Sequence, residues 1–482
     1  MLNHGINVVE EDEVINAAVE STSGIPIVFG TAPIHLTEDL ETVVNKPVLV
    51  RSFEEAAKRL GYSDDFEKYT LCQAMKMSLD NFKVAPMVFV NVLDTKKHTK
   101  EFSEQNLKVS DKQAVLSVEG ALISSLAVTA GQGELVEDRD YILTREGERI
   151  AVTLIGEGAS DILDITVGGR RLDTSLVTGL DIIGGHDTET GEESGLELIR
   201  RIYPMFGFAP ALIIAPGFSH IPEVAAVMET KCEDINGCFR CECIVDLDTE
   251  KCKKYGDVPA EKKNLGVSSR HTYVVWPMAQ RDNKVFYGSA VAAAITQHTD
   301  QENNNMANLS PSNKNARIDA AVLKDGTEIM LDFVGADAIN DAGVATFINV
   351  NGWKLFGNAT AAYPEDDKMK ARFWCIQRFF TWRANKFITD YVSKIDLTGN
   401  TKLLEMICDE EKMKCNALVS MGVCAAASIE FLTSDNTVES LAGGTFCFRQ
   451  SYAPFTPAQK IINTLTLDVE SVRAALTAGG EG

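Results

Sequence analysis

The chain has 482 residues, which is enough for two to four domains with separate cores. With 45% hydrophobic and 24% charged residues, its composition is that of an ordinary globular protein. The net charge of −23 at pH 7 argues against a surface that binds nucleic acid phosphates.

The first 22 residues predict an extended arm. The chain starts without a basic region followed by an apolar run, so we expect no signal peptide and synthesis in the cytoplasm. Ile6, Val8 and Val9 belong to a short strand-like run that acidic residues follow. Because an isolated strand leaves backbone hydrogen bonds unsatisfied, we expect this run to pair with another sheet.

Residues 23–99 have the pattern of an α/β unit. Strand-like runs alternate with helical patterns in this order: strands at 25–33 and 47–50, helices at 53–60 and 66–82, and a strand at 87–92. The last run is almost continuously apolar, which is typical of a strand covered on both faces. Gly61 is well placed to end the first helix.

Residues 100–184 predict an all-β domain inserted into this unit. Four strand-like runs occur without a competing helical pattern, at 115–123, 141–143, 149–155 and 162–167. The α/β pattern then resumes over residues 185–360. It includes helices at 196–206, 222–229 and 289–297 and strands at 211–215, 239–247 and 272–276. Several βα units in one run predict a parallel or mixed sheet with helices on both sides.

The loop that contains Ser219 and His220 is the best place in the sequence to test the hypothesis that the protein is an enzyme. It lacks the Gly-x-Ser-x-Gly pattern of a nucleophile elbow, and neighbours in the chain rarely orient as a Ser–His pair. Ser219 is instead predicted to cap the helix that begins at Pro222. The sequence has no Walker loop, HExxH or EF-hand spacing, so it predicts no catalytic residue and no cofactor.

Five of the 11 cysteines are close together in the sequence: Cys232, Cys238, Cys241, Cys243 and Cys252. Only Cys238 and Cys241 have the CxxC spacing of a zinc site. Reduced thiols are therefore favoured over a structural metal, and no metal site is predicted.

The most specific pattern lies in residues 310–360. It opens with Ser-Pro-Ser-Asn, contains Asn-x-x-Gly-Val, and ends with Gly-Trp-x3-Gly-Asn-x-Thr. Within it, the pair Asn351 and Gly352 predicts a two-residue type I′ hairpin turn. That register places Ile348 opposite Leu355 and Val350 opposite Trp353.

Residues 361–460 predict an α+β domain. An aromatic helix at 373–392 is followed by a helix at 402–417 with a charged middle, and strands are expected at 424–432 and 446–454. Residues 461–482 form a second arm, in which Leu465, Leu467 and Val469 alternate with polar residues as in a strand. This strand also lies outside a finished domain.

These patterns resemble the tail sheath proteins of contractile phages and related injection machines. Besides the motifs of residues 310–360, the opening His-Gly-Ile-Asn-Val-Val-Glu and the loop Ala-Pro-Gly-Phe-Ser are similar to those of the family. Many sheaths have Trp before the last Gly of the final motif, where this chain has Phe356. The resemblance extends over nearly the whole chain and is weakest in the β insertion.

The resemblance implies a structural subunit that polymerises as stacked hexameric rings around an inner tube. Contraction of the polymer drives the tube through a cell envelope, and no enzyme activity is needed. It also implies that both arms lend strands to neighbouring copies, that the β insertion faces outward, and that the last domain faces the tube. Four residues of its charged helix then become candidates for tube contact: Lys402, Asp409, Glu410 and Lys412.

The implied partners are further copies of the chain, the inner tail tube protein, and baseplate and tail terminator proteins, without nucleic acid or direct lipid binding. Assembly is expected in the host cytoplasm, followed by a place in a virion tail or an extracellular injection particle. The source could be a phage, a prophage or an R-type bacteriocin. Two other classes stay open, namely an α/β nucleotide-binding protein or enzyme and a static strand-exchanging polymer.

Overall fold

The computed structural model describes residues 23–131, 133–155 and 159–478. Over these ranges the chain has a mixed α/β fold with several separate sheets, which confirms the predicted fold class at that level. No helix in the described ranges is long and apolar enough to cross a bilayer. The predicted strand of the first arm, with Ile6, Val8 and Val9, lies outside the described residues.

A nine-stranded sheet forms the centre of the subunit. Its strands are β1 (Pro26–Gly30), β2 (Pro47–Val50), β3 (Met87–Asn91), β13 (Leu212–Ile214), β14 (Glu242–Asp246), β15 (Thr272–Val275), β18 (Lys314–Asn315), β20 (Val344–Asn349) and β21 (Trp353–Phe356). Their order across the sheet is β18-β21-β20-β15-β14-β13-β1-β3-β2. The strands from β20 to β3 run parallel, β2 pairs antiparallel at one edge, and β21 and β18 continue the other edge by antiparallel pairing. β1, β3, β13 and β14 are buried along their whole length, as expected for strands that are covered on both faces.

Helices connect these strands. They are α1 (Phe53–Leu60), α2 (Leu71–Ala74) continued by a π-helix (Met75–Phe82), α4 (Ile202–Phe206), α5 (Pro222–Glu233), α6 (Val258–Leu265), α7 (Gly288–Glu302) and α8 (Phe333–Asp341). α1 ends at Gly61, which has a positive φ of 77°, and α5 begins with proline as predicted. α7 is buried on nearly all sides, and its run of alanines lets neighbouring elements approach closely.

Two predicted helices start later than their sequence pattern indicates. The helix expected at 66–82 begins at Leu71, because Thr70 and Thr31 exchange side-chain-to-backbone hydrogen bonds of 3.2 and 3.1 Å that hold residue 70 beside β1. The helix expected at 196–206 is a 3-10 turn up to Arg201 and α-helical only afterwards. This start places Pro204 in the first turn, where its missing amide leaves no hydrogen bond unmade.

The predicted register of the hairpin between β20 and β21 is wrong by one residue. Phe347 pairs with Leu355 and Asn349 with Trp353, so the loop has three residues instead of two. Asn351 and Gly352 do take positive φ values, 51° and 101°. The observed register puts the fully buried Phe347 and Leu355 opposite each other on the core side, which decides between the two pairings.

Residues 99–172 form two further sheets with a hydrophobic cluster of their own. One contains β4 (Thr99–Lys108), β6 (Ala127–Ala130), β7 (Gly133–Glu134) and β10 (Asp164–Leu172), and the other β5 (Gln113–Leu116), β8 (Tyr141–Glu146) and β9 (Arg149–Leu154). The sequence did not predict β4, because its ten residues are mostly polar and none is fully buried. A short helix, α3 (Gly179–Ile183), follows within the stretch that was predicted to hold only strands.

Two small antiparallel sheets accompany the central one. They consist of β11 (Gly185–His186) with β12 (Glu193–Ser194), and of β16 (Met278–Arg281) with β17 (Lys284–Phe286) and β19 (Ala320–Val322).

The C-terminal part is helical with one two-stranded sheet. Its elements are α9 (Met369–Arg372), α10 (Trp374–Tyr391), α11 (Thr401–Ser420), β22 (Cys424–Glu430), α12 (Val438–Ala442), β23 (Arg449–Pro454) and α13 (Val469–Ala478). The two long helices are confirmed close to their predicted bounds. Trp374 stacks on Tyr273 of β15 with ring centroids 4.3 Å apart, so α10 packs directly against the central sheet.

Candidate functional site

The carboxyl ends of the parallel strands are where a nucleotide-binding protein of this topology would hold its ligand. The strand order reverses between β1 and β13, which makes their carboxyl ends the expected ligand crevice. Thr70 occupies this place. A Cβ added at Gly217 would lie 2.8 Å from the Thr70 methyl group, and one added at Gly30 would meet the Thr70 hydroxyl. The crevice is thus filled by a side chain of the protein itself.

Ser219 belongs to a buried polar cluster and does not cap a helix. The residue that precedes α5 is Ile221, so the predicted cap is wrong. The Ser219 hydroxyl donates to the Asp246 carboxylate at 2.8 Å and accepts the Asp246 amide at 3.1 Å. The amide and hydroxyl of Ser289 donate to the same carboxylate at 2.7 and 2.5 Å. All three residues are buried, so the cluster ties β14 to α7 and to the loop after β13, and Ser219 is closed to a substrate.

Burial raises the pKa of Asp246 to about 6, against hydrogen bonds that lower it. Because the folded pKa lies above the ordinary value of 3.8, the stabilisation from this group is complete below about pH 4 and is lost as the pH rises through about 6. We expect the unfolding free energy of the wild type, relative to Asp246→Asn, to fall by about 2 kcal/mol between pH 4 and pH 7. Urea unfolding of both proteins across this range measures the difference.

Asp248→Asn is the matched control for this titration. Burial raises the pKa of the Asp248 carboxyl, but hydrogen bonds from Lys251 and from the amide of Glu250 outweigh it, and the net pKa is lowered. Its stabilisation is therefore present above the ordinary pKa and lost as the pH falls, which is the opposite sign. A pH-independent difference between the wild type and Asp246→Asn would contradict the assignment for Asp246.

The geometry and the protonation of the clustered cysteines do not favour metal binding. The Cys232 and Cys241 sulfurs are 3.5 Å apart and fully buried, whereas Cys238 is exposed. Burial raises the pKa of both buried thiols, which opposes the thiolate form that binds metals. Within the described ranges, no group of three or more His, Cys, Asp or Glu residues is placed to hold a metal ion.

The C-terminal sheet is the first of three surfaces suited to assembly. β22 and β23 pair only with each other among the described residues, so both outer edges of this sheet are free. A two-stranded sheet alone is marginally stable, and its unpaired N–H and C=O groups are a template for another strand.

A buried charge cluster fixes this sheet to the helices. Glu411 of α11 is fully buried and accepts hydrogen bonds from Arg383 at 2.8 Å, Lys414 at 2.6 Å and the Tyr391 hydroxyl at 3.1 Å. Gln450 of β23 donates to the same carboxylate at 2.6 Å. One side chain therefore joins α10, α11 and β23.

The second surface is the exposed part of α11, which holds the four predicted tube-contact residues. Lys402 is exposed, and Asp409 and Lys412 form a solvent-exposed pair at 3.3 Å. Glu410 is half-buried. In the sequence, the charged middle of this helix forms one group, and Glu411 is not distinguished from its neighbours as a structural residue. A signal was present, because Glu411 lies on the stripe of buried positions with Ile407, Cys415 and Leu418.

The third surface is the chain after β23. Residues 455–468 have no regular secondary structure, and Leu465 and Leu467 are 87% and 85% exposed. Val469, predicted as part of the same strand, is the first residue of α13 in the single subunit. Large apolar side chains left this exposed are expected where another molecule covers them.

A buried ion pair holds the start of the described chain. Ser23, the first described residue, donates its hydroxyl to Asp300 of α7 at 2.9 Å. Asp300 also binds the guanidinium of Arg378 on α10, with Nη1 to Oδ1 at 3.2 Å. Ser23, where the described chain begins, therefore lies at a junction that joins two helices of the fold.

Comparison with known proteins gives relatives in sequence and in structure, although no family model matches the chain. The tail sheath protein of Escherichia phage P2 is 25% identical over 301 residues, covering 61% of this chain and 72% of the phage protein. The tail sheath protein of Burkholderia phage BcepMu is 21% identical over 475 residues, covering 95% of each chain.

Among solved structures, the helical sheath of the anti-feeding prophage (AFP) in its contracted state has a similar fold. The TM-score is 0.57 with 10% sequence identity, and the match covers 96% of this chain and 99% of that chain. At this identity the likeness concerns the fold, and it extends over almost the full length of both chains.

Proposed function

We propose that this chain, which is similar to phage tail sheath proteins, is a contractile tail sheath protein that polymerises as stacked hexameric rings around an inner tube and contracts to drive that tube through a cell envelope. The observation that carries this proposal is the similarity to a phage tail sheath protein along 95% of both chains. Its tail sheath relatives indicate a structural protein, and we propose that the subunit has no enzymatic activity. The energy of contraction is stored in the arrangement of the subunits at assembly.

The proposed division of the chain follows from this role. Residues 1–22 and 461–482 are the two arms, and 23–99 with 185–360 form the discontinuous α/β core. Residues 100–184 are the inserted, outward-facing β domain, and 361–460 the domain that faces the tube. In support, residues 99–172 contain two sheets with a separate hydrophobic cluster.

Strand exchange is the proposed link between subunits. The two free edges of the sheet formed by β22 and β23 match the two arms in number. We propose that Leu465 and Leu467 of one copy, with Val469 at the end of the strand, pair at one edge in a neighbour, and that Ile6, Val8 and Val9 of a further copy pair at the other. Each backbone hydrogen bond contributes roughly 0.5–1.5 kcal/mol. Such pairing depends on the backbone, so it can persist while rigid domains rotate.

The partners are further copies of the chain, the inner tube protein, and baseplate and tail terminator proteins. The net charge of −23 supports the absence of nucleic acid from this set, and we propose no direct lipid contact. Assembly takes place in the host cytoplasm, and the finished polymer belongs to a virion tail or an extracellular injection particle.

Electron microscopy of the protein co-expressed with its tube protein tests this function. We expect long striated tubes, together with shorter and wider contracted ones. A folded protein that stays monomeric with its tube protein, or binds a nucleotide, would favour the enzyme class. Polymers of a single fixed length and width, which never contract, would favour a static structural protein.

Charge reversal on α11 tests the tube contact. The double variant Lys402→Glu, Lys412→Glu changes the net charge of this surface by −4, and the surface also carries Asp409 and Glu410. If this surface grips the tube, we expect fewer sheaths on tubes but an unchanged unfolding temperature, since both lysines are exposed. The matched control reverses Lys263 and Lys284, which lie outside α11. Equal loss of sheaths in both variants would contradict the assignment.

A further inference from the structure

The last helix, α13, has an apolar stripe that packs on no other element among the described residues of the subunit. Val469, Val472 and Leu476 follow at helical spacing and are 59%, 55% and 76% exposed. Asp468 caps the helix by accepting the amide of Ser471 at 3.0 Å. A capped helix of ten residues is marginal in water, so an apolar stripe of this kind calls for a second surface.

A complementary surface lies on α8. Phe333 and Val334 at its start are 56% and 76% exposed, and Asp337 and Asp341 follow on the exposed side. α8 forms one wall of a groove of about 880 Å³, and residues 457–460 form another part of its lining. In the described part of the chain, neither acidic residue makes an ion pair, and the same holds for Arg473 of α13.

The two helices match when they are placed antiparallel. Arg473 lies three residues before Leu476, a rise of about 4.5 Å along α13, and Asp337 lies three residues after Val334 on α8, which is the same rise. With Leu476 on Val334, Arg473 therefore faces Asp337, and Val472 faces the small, exposed Ala338. We propose that α13 of one copy packs antiparallel on α8 of a second copy through these contacts.

The path of the chain after β23 indicates that the α13 packed on α8 comes from a different copy. Residues 457–460 line the groove on their own α8, yet Val469, Val472 and Leu476 of the same copy are more than half exposed. Residues 455–468, at about 3.4 Å per extended residue, span up to about 48 Å, which is enough to reach a neighbour. This proposal rests on the proposed function. If the strand from the first copy pairs beside β22 of the second copy and runs in the same direction as β23, it ends near Pro454 of the second copy. Pro454 is only a few residues before the residues that line the groove on α8, so α13 would follow the strand close to this groove.

Cross-linking between two differently substituted proteins tests the contact. One full-length protein carries Val334→Cys and the other Leu476→Cys, both with Cys238→Ser to remove the exposed native thiol. We expect a covalent dimer after the two are mixed, assembled and oxidised with copper phenanthroline. Ala474→Cys, on another side of α13, replaces Leu476→Cys in the matched control and should give no dimer.

Charge exchange provides a second measurement. Arg473→Asp should reduce the cross-link, and combining it with Asp337→Arg should restore the cross-link. Absence of the dimer overturns the contact, and so does a cross-link within one chain that carries both cysteines. Striated polymers that form without the cross-link overturn this contact alone, whereas wild-type protein that never polymerises contradicts the proposed function.

Discussion

Deleting residues 461–482 is expected to abolish polymers and leave a folded, monomeric subunit. In the single subunit, Leu465 and Leu467 contact little of the fold, so their loss removes few interactions that stabilise it. In the proposed polymer, the same segment would contribute several backbone hydrogen bonds per subunit, repeated along the whole assembly. Electron microscopy and analytical ultracentrifugation report polymers and monomers, and circular dichroism reports the fold.

Two variants make this deletion specific. Removing residues 470–482 takes away nearly all of α13 but keeps the proposed strand through Val469, so shorter or less stable polymers are expected instead of none. Deleting residues 1–22 removes the other arm and should again abolish polymers. Normal polymers from the 461–482 deletion would contradict the proposed strand exchange at this end of the chain.

Glu411→Ala is expected to lower the unfolding free energy by about 3–5 kcal/mol. The change leaves Arg383, which is almost fully buried, without its carboxylate, and an uncompensated buried charge is costly. It also removes the acceptor of Gln450, which holds β23 on the helices. Urea unfolding monitored by circular dichroism measures the loss.

Asp409→Ala is the matched control on the same helix. Its carboxylate pairs with Lys412 at 3.3 Å in solvent, and exposed pairs contribute about 0–1 kcal/mol. Replacing Arg383 and Glu411 together by Met and Leu removes both charges and should recover part of the loss. Equal stability of the Glu411→Ala and Asp409→Ala proteins would contradict the structural role of Glu411.

The sequence could predict elements whose signals are local. The proline at the start of α5, the glycine after α1 and the aromatic spacing of α10 each depend on a few neighbouring residues, and the structure confirms them. The general α/β class followed from the same periodicity. The division into domains stays a proposal, although the inserted sheets have a separate core.

Features set by distant residues could not be predicted in the same way. Ser219 was assigned to a nearby helix, but its partner Asp246 belongs to another strand of the sheet. The hairpin register depends on which residues face the core, a choice that the turn residues alone do not determine. β4 is stabilised by pairing along β10 and lacks the apolar alternation that identifies strands.

The candidate site likewise has features that the sequence could predict and features that depend on distant residues. Alternation in residues 464–469 predicts a strand, but a strand needs a partner, and no described part of the same subunit pairs with Leu465 or Leu467. The inward direction of Glu411 could have been found from helical spacing. The edges that are free to accept a strand became visible only with the sheet topology.

The most direct test is a cryo-EM reconstruction of the assembled polymer at a resolution that traces the backbone. We expect residues 461–468 of each copy to continue the sheet formed by β22 and β23 in a different copy, with backbone hydrogen bonds along its free edge. If these residues instead folded back onto their own subunit and that edge stayed unpaired, the proposed strand exchange would be wrong.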